Sequence, residues 1–184
     1  MNYYLLEQDL RIPDIAAIGG VPDHIEPLDW MRGKKMAPPG ALRLQLSAVS
    51  GDERGDIMGS LLTLFSDELK DAMTKFGVDS IDYFPVELEN PNTHEIETGY
   101  WLANVLGLVG CVDMSRSVIV PRPSGAKGDL ESFYVDPKRA MSLRIFRLAE
   151  DPTLIVINHE LREFLRSLPL AGVRLRHTKT YDGF

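Results

Sequence analysis

The chain has 184 residues, of which 44% are apolar and 26% charged, and its formal charge is −7. This length and composition predict a single domain over residues 1–184 and leave little room for a second one. The acidic balance, without a stripe of Lys and Arg, argues against nucleic-acid binding. One cysteine excludes an internal disulfide, and the start MNYYLLEQDLRIP lacks the features of a signal peptide. We therefore expect a cytoplasmic location.

The region before the first long periodic segment predicts one short strand and then an irregular arm. Tyr3–Leu6 is apolar and suits a strand. Residues 11–40 are rich in proline and glycine, which interrupt regular structure. Trp30 and Met31 are the large apolar side chains that we expect to pin this arm to the body of the domain.

Two amphipathic helices are predicted from their capping residues. Ser66 suits the N-cap of the first and Gly77 its C-terminal stop, while Asn158 suits the N-cap of the second. Each segment repeats apolar residues at i, i+3, i+4 and i+7, the spacing of one helical face. These faces are Leu69, Ala72, Met73 and Phe76 in the first helix, and Leu161, Phe164, Leu165 and Leu168 in the second.

The two helical segments also resemble each other beyond their spacing. Ser66 to Leu69 aligns with Asn158 to Leu161 at an offset of 92 residues, and each unit has an apolar run before it and a Gly-Val pair after it. Capping rules alone would produce most of this similarity. A duplicated unit and a shared capping pattern both remain open.

The most apolar run, from Tyr100 to Val112, raises the question of a membrane span. A spanning helix needs about 20 consecutive apolar residues. This run has thirteen, and Asn104, Gly107 and Gly110 interrupt it. Alternate positions are apolar on both faces, which is typical of a central strand covered on both sides. We predict a buried strand with a bend at Gly107 or Gly110, and no membrane segment.

The remaining pattern predicts an α+β fold with a mainly antiparallel sheet and the two principal amphipathic helices packed on it. Short extended segments outnumber helices, and the loop ENPNTHEIET suits a hairpin. Residues 47–59 and the stretch PRPSGAKGD are predicted loops. The other predicted strands are 42–46, 81–88, 117–120, 132–135, 143–148 and 153–157.

A search for catalytic and metal-binding patterns finds none that is complete. Cys111 lies in the apolar run, where burial would keep its thiol protonated. His159-Glu160 begins like the zinc motif H-E-x-x-H, but position 163 is Glu, so we predict no metal and no cofactor. Asp113 follows the apolar strand and is the one carboxylate for which an active-site position is a specific alternative.

Taken together, several segments resemble an immunity-protein (antitoxin) family of bacterial polymorphic-toxin systems, long catalogued as a domain of unknown function. The resemblance covers nearly the whole chain. Its most specific parts are Asn104 within the apolar strand, Cys111-Val112-Asp113 at its end, and the later Phe146-Arg147-Leu148. It implies a protein that binds and neutralises a cognate toxin in the cytoplasm of the cell that makes it, and it brings no catalytic residues.

Besides a scaffold or oligomerising protein without a toxin, two specific hypotheses follow, of which the first is a non-catalytic toxin-neutralising protein. The alternative is an enzyme that acts on a small polar substrate with Asp113 near its active site. For the first, the candidate partner-binding residues are Glu87, Glu89, Glu95 and Glu97, which surround the predicted hairpin turn. No Lys or Arg lies between Lys75 and Arg116 to neutralise them locally, so a basic partner would meet a concentrated negative edge.

Overall fold

The computed structural model describes residues 2–59, 61–121 and 128–183. Most of the stretch PRPSGAKGD, predicted as a loop, lies outside the described residues. The helices are α1 (Pro27–Trp30), α2 (Asp67–Phe76) and α3 (His159–Arg166). The strands are β1 (Tyr3–Gln8), β2 (Leu42–Gln45), β3 (Ile57–Met58), β4 (Leu64–Ser66), β5 (Ile81–Glu89), β6 (Ile96–Val105), β7 (Leu108–Val109), β8 (Val118–Val120), β9 (Asp129–Ser132), β10 (Ile145–Leu148), β11 (Ile155–Asn158) and β12 (Val173–His177).

The fold is α+β, as predicted, but its strands form two mixed five-stranded sheets and not one mainly antiparallel sheet. The first sheet has the order β2-β5-β6-β4-β3, and the second has the order β12-β1-β11-β10-β7. Most neighbours are antiparallel, whereas β2 with β5 and β10 with β7 are parallel. Strands β8 and β9 form a separate pair. Alternation and turn residues identify strands one by one, and they do not say which distant strands become neighbours.

Both predicted amphipathic helices are present between the two sheets. The side chain of Ser66 accepts a hydrogen bond from the Leu69 N–H at the start of α2, and Gly77 ends this helix in the left-handed conformation. Asn158 caps α3 in the same way through the Leu161 N–H. The predicted faces turn inward and meet each other, with the rings of Phe76 and Phe164 5.2 Å apart.

Three apolar clusters arrange the molecule in layers. The middle cluster joins both helices to one face of each sheet. The outer face of the first sheet is covered by the arm of residues 11–40, in which Trp30 and Met31 are buried as predicted. The outer face of the second sheet is covered by the segment that contains Cys111, Phe133 and Ala140. Both sheets are therefore covered on both faces over most of their area.

The apolar run that contains Cys111 passes from one sheet to the other. Strand β6 lies in the middle of the first sheet, as predicted, and ends at Val105. The chain turns at Gly107, which has a φ of 98° and donates its N–H to the carbonyl of Gly33. Leu108–Val109 then pairs with the second sheet. The predicted bend lies at Gly107, where the positive φ favours glycine. The prediction of one strand as far as Val112 is wrong, because β6 ends at Val105 and Cys111 lies outside the strands.

The two helical units share one topology. In the first, β4-α2-β5 places two strands on either side of β6, to which both are antiparallel. In the second, β11-α3-β12 places two strands on either side of β1 in the same manner. The central strand of the first unit, β6, follows that unit directly in the chain. The central strand of the second unit, β1, comes from the opposite end of the chain. The similarity between the segments thus extends from capping to sheet architecture.

Some local predictions need correction. The predicted loop at residues 47–59 ends in the short strand β3, whose two residues are too few for an alternating pattern to show. The strand predicted at 132–135 lies at Asp129–Ser132 instead, and Val135 makes only an isolated bridge with Val112. The arm contains the single-turn helix α1.

Candidate functional site

The four candidate glutamates lie on the hairpin formed by β5 and β6. Glu87 and Glu89 are on β5, Glu97 is on β6, and Glu95 is in the connection between them. A register shift between Val86 and Leu88 marks a bulge in this pair of strands. The hairpin therefore brings the four residues to one end of the first sheet, as their spacing predicts.

Two of these glutamates form ion pairs with arginines from an earlier part of the chain. Arg43 lies directly opposite Glu87 in the parallel pair β2-β5, and its Nη2 is 2.8 Å from the Glu87 Oε2. Arg54 donates to both carboxylate oxygens of Glu97, with Nη2 2.6 Å from Oε1. These hydrogen bonds lower the pKa of the Glu97 carboxyl. The expectation that the edge lacks neutralising cations is therefore wrong for Glu87 and Glu97.

The other two glutamates have weaker polar neighbours. Glu89 lies opposite Gln45 and has an oxygen 3.3 Å from the Nδ1 of His94. Glu95 is exposed and accepts a hydrogen bond from the hydroxyl of Thr93. Among the ion pairs of the described residues, neither has a Lys or Arg partner. Their role in partner binding stays a prediction.

A cleft of about 490 Å³ lies beside this hairpin, at the outer edge of β2. We call it the β2-edge cleft. It is lined by the arm from Gly19 to Pro22, by Arg43 and Gln45 of β2, and by Glu89 and Pro91 of the hairpin segment. The sequence alone does not indicate this cleft, because its walls come from three separate segments.

A second cleft, of about 220 Å³, is basic and surrounds Tyr134. The guanidinium of Arg116 lies 4.1 Å and the ammonium of Lys179 4.7 Å from the centroid of the Tyr134 ring. His177 also lines this Tyr134 cleft, and burial, with Lys179 and Arg162 nearby, lowers its pKa. No sequence pattern singled out these residues, which are brought together from distant parts of the chain.

Asp113, the alternative catalytic residue, is engaged by its own turn. Its Oδ1 accepts hydrogen bonds from the N–H of Ser115 and, at 2.6 Å, from the Ser115 hydroxyl. These bonds, with Arg116 nearby, lower the pKa of the carboxyl. Asp113 lines neither of the two clefts. This geometry is that of a turn-capping carboxylate.

Cys111 is fully buried, as predicted. Burial, with Glu150 nearby, raises the pKa of its thiol to about 12, so the thiol stays protonated at neutral pH. A protonated thiol in an apolar cluster is a packing group and not a nucleophile.

Residues 2–59, 61–121 and 128–183 contain no group of three or more His, Cys, Asp and Glu side chains placed to hold a metal ion. No helix in these ranges has the length and apolar character needed to cross a membrane.

The chain was compared with known proteins and protein families. A search of curated proteins returned no match. The model of the immunity protein family (Imm11) matches residues 38–180. This match includes the β5-β6 hairpin with its four glutamates, which we call the acidic hairpin, and both amphipathic helices. It also includes Asn104, Cys111 and Arg147, on which the resemblance rests. The chain therefore belongs to the Imm11 immunity protein family.

Proposed function

We propose that the protein neutralises a cognate polymorphic-toxin domain by binding it, without a catalytic step of its own. The observation that carries this proposal is membership of the Imm11 immunity protein family. The capping role of the Asp113 carboxylate and the protonated state of Cys111 favour binding over catalysis. The protein acts in the cytoplasm of the cell that makes it, where the toxin would otherwise harm its producer.

The acidic hairpin is the proposed first contact with the toxin. Its strands are central or next to central in the first sheet, so they hold the connecting loop on a rigid support. Among the described residues, Glu89 and Glu95 have no Lys or Arg ion-pair partner, whereas Arg43 and Arg54 partly neutralise Glu87 and Glu97. A chain with a formal charge of −7 attracts a basic domain, and charges at the hairpin orient the approach.

The test is direct binding to the toxin domain encoded by the neighbouring gene. The two proteins are co-expressed, the complex is isolated by size-exclusion chromatography, and its Kd is measured by titration calorimetry. A toxin domain from an unrelated system is the control. Co-elution with the cognate domain alone, together with survival of cells that express both proteins, is the expected result. Survival without any physical complex would contradict neutralisation by binding.

A further inference from the structure

Strand β2 forms one edge of the first sheet. The hydrogen-bond pattern shows which of its backbone groups point outward, away from β5. The Leu46 N–H donates to the Glu89 carbonyl on the β5 side, whereas the Gln45 carbonyl accepts from the Gly19 N–H on the opposite side. Successive residues of a strand direct their N–H and C=O groups to alternate sides. Leu42 and Leu44 therefore bond towards β5, and Arg43 and Gln45 direct their backbone groups outward.

The arm covers only the end of this edge. Ile18 bridges antiparallel to Leu46, with hydrogen bonds from Gly19 to Gln45 and from Ser47 to Ala17. The arm then leaves the sheet at Gly19 and Gly20. Among the described residues no backbone group pairs with the N–H of Gln45, or with the N–H and C=O of Arg43. An unpaired edge of this kind is a template for another extended chain.

The β2-edge cleft opens along these unpaired groups. From Leu42 to Gln45 the edge is about 10 Å long, because a strand rises about 3.3 Å per residue. The cleft volume of about 490 Å³ has room for a short extended segment beside it. The departing arm therefore leaves an open space beside the outer edge of β2.

The two faces beside this space differ in chemistry. On one side Val21 packs with the apolar cluster that holds Leu42 and Leu44. On the other side Arg43 and Gln45 lie opposite Glu87 and Glu89, where two carboxylates face one guanidinium. A segment that fits both faces alternates apolar residues with polar or basic ones.

We propose that the β2-edge cleft receives an extended segment of the toxin, which adds to β2 as a further strand of the first sheet. This inference rests on the proposed function and deepens it. Main-chain bonds to Arg43 and Gln45 supply affinity, and the alternating side chains supply selectivity. The acidic hairpin beside the cleft attracts the basic side chains of the toxin segment.

The test separates the backbone of Arg43 from its side chain. Arg43→Pro removes the outward N–H and the side chain, and an edge strand tolerates proline where the N–H faces outward. Arg43→Ala is the matched control, since it removes the side chain alone. With the toxin domain of the neighbouring gene as the probe, Arg43→Ala should weaken binding less than about fivefold. Arg43→Pro should weaken it by a further factor of about ten or more, with an unchanged circular dichroism spectrum.

Hydrogen exchange of the wild-type protein gives a second readout that needs no substitution. The amides of Arg43 and Gln45 should exchange rapidly in the free protein and become protected in the complex. Equal Kd values for the two variants, with unchanged exchange at both amides, would overturn the strand-addition proposal while leaving toxin binding intact. A wild-type protein that fails to bind the toxin would overturn both proposals. If self-association of the free protein protects these amides, the edge of β2 binds a second copy of the chain, and the proposal of strand addition by the toxin is overturned.

Discussion

Ser66 and Asn158 occupy equivalent positions in the two halves of the fold. Each is the last residue of a buried strand and the N-cap of the helix that follows, and each pairs across the sheet with a tyrosine, Tyr100 or Tyr3. The caps accept the N–H of Leu69 at 3.1 Å and of Leu161 at 2.9 Å. One local device thus begins both helices of the central layer.

Replacing either cap should destabilise the protein. Ser66→Ala and Asn158→Ala each leave a helix N–H without its acceptor, which costs about 1 kcal/mol. Ser66→Ala should cost more than Asn158→Ala, because the Ser66 hydroxyl also donates to Asp56, whose other carboxylate oxygen holds the Ala171 N–H. Urea unfolding measures both, with exposed Lys75→Ala as the control. Equal free energies of unfolding for all three variants would contradict a capping role for Ser66 and Asn158.

Truncating the buried face of α3 should have a larger effect. Leu165 is 2% exposed within the middle cluster, so Leu165→Ala removes apolar contacts and leaves a cavity. The expected loss in the free energy of unfolding is about 2–5 kcal/mol. The adjacent Arg166→Ala, on the exposed side, should change it by less than about 0.5 kcal/mol. A loss for Leu165→Ala as small as that of the control would show that the helix does not pack on the sheets.

Cys111 should resist thiol reagents in the native protein. Its buried thiol, with a pKa raised to about 12, should react only as fast as the protein unfolds, and urea should restore normal reactivity. Because the folded pKa lies above that of the unfolded chain, the protonated thiol contributes stability below about pH 9, and this contribution is lost as the pH rises towards 12. The difference in stability between wild type and Cys111→Ala should therefore shrink above pH 9. Fast native labelling at pH 7 would refute burial.

The Arg54–Glu97 pair should make stability depend on acidic pH. Arg54 lowers the pKa of the Glu97 carboxyl below its ordinary value of 4.5. The ionised carboxylate therefore contributes stability above pH 4.5, and this contribution is lost as the pH falls through the lowered pKa. Glu97→Gln should be less stable than wild type at pH 7, and this difference should shrink as the pH falls below 4.5. Glu95→Gln, which breaks no ion pair, is the control, and a constant difference for Glu97→Gln at every pH would contradict this linkage.

The acidic hairpin should accelerate capture of the toxin. Replacing Glu87, Glu89, Glu95 and Glu97 by Gln should slow association with the toxin domain at low salt, and the effect should fade as salt screens the charges. The control variant changes the net charge equally by neutralising four exposed carboxylates outside the hairpin. These are Asp23, Asp71, Glu131 and Glu160, replaced by Asn or Gln. Stopped-flow association rates compare the two variants. Equal slowing of both would assign steering to net charge and not to the hairpin.

What the sequence determined by itself is local. The caps at Ser66 and Asn158 and the inward helical faces follow from hydrogen-bonding groups and periodicity within a few residues, and both are found as predicted. The bend that glycine predicted at Gly107 or Gly110 lies at Gly107. Burial of Cys111 follows from its apolar neighbours in the same way. The acidic residues around the hairpin turn are also a local feature.

Only the tertiary structure decided which distant segments meet. Arg43 is 44 residues away from Glu87 in the sequence, and Arg54 is 43 residues away from Glu97. The sequence around the hairpin therefore does not contain the arginines that neutralise it. The division into two sheets, the entry of β1 between β11 and β12, and the open edge of β2 likewise depend on pairing between remote strands. Such pairing is set by how apolar faces pack in three layers, a property of the whole chain that no short window of sequence contains.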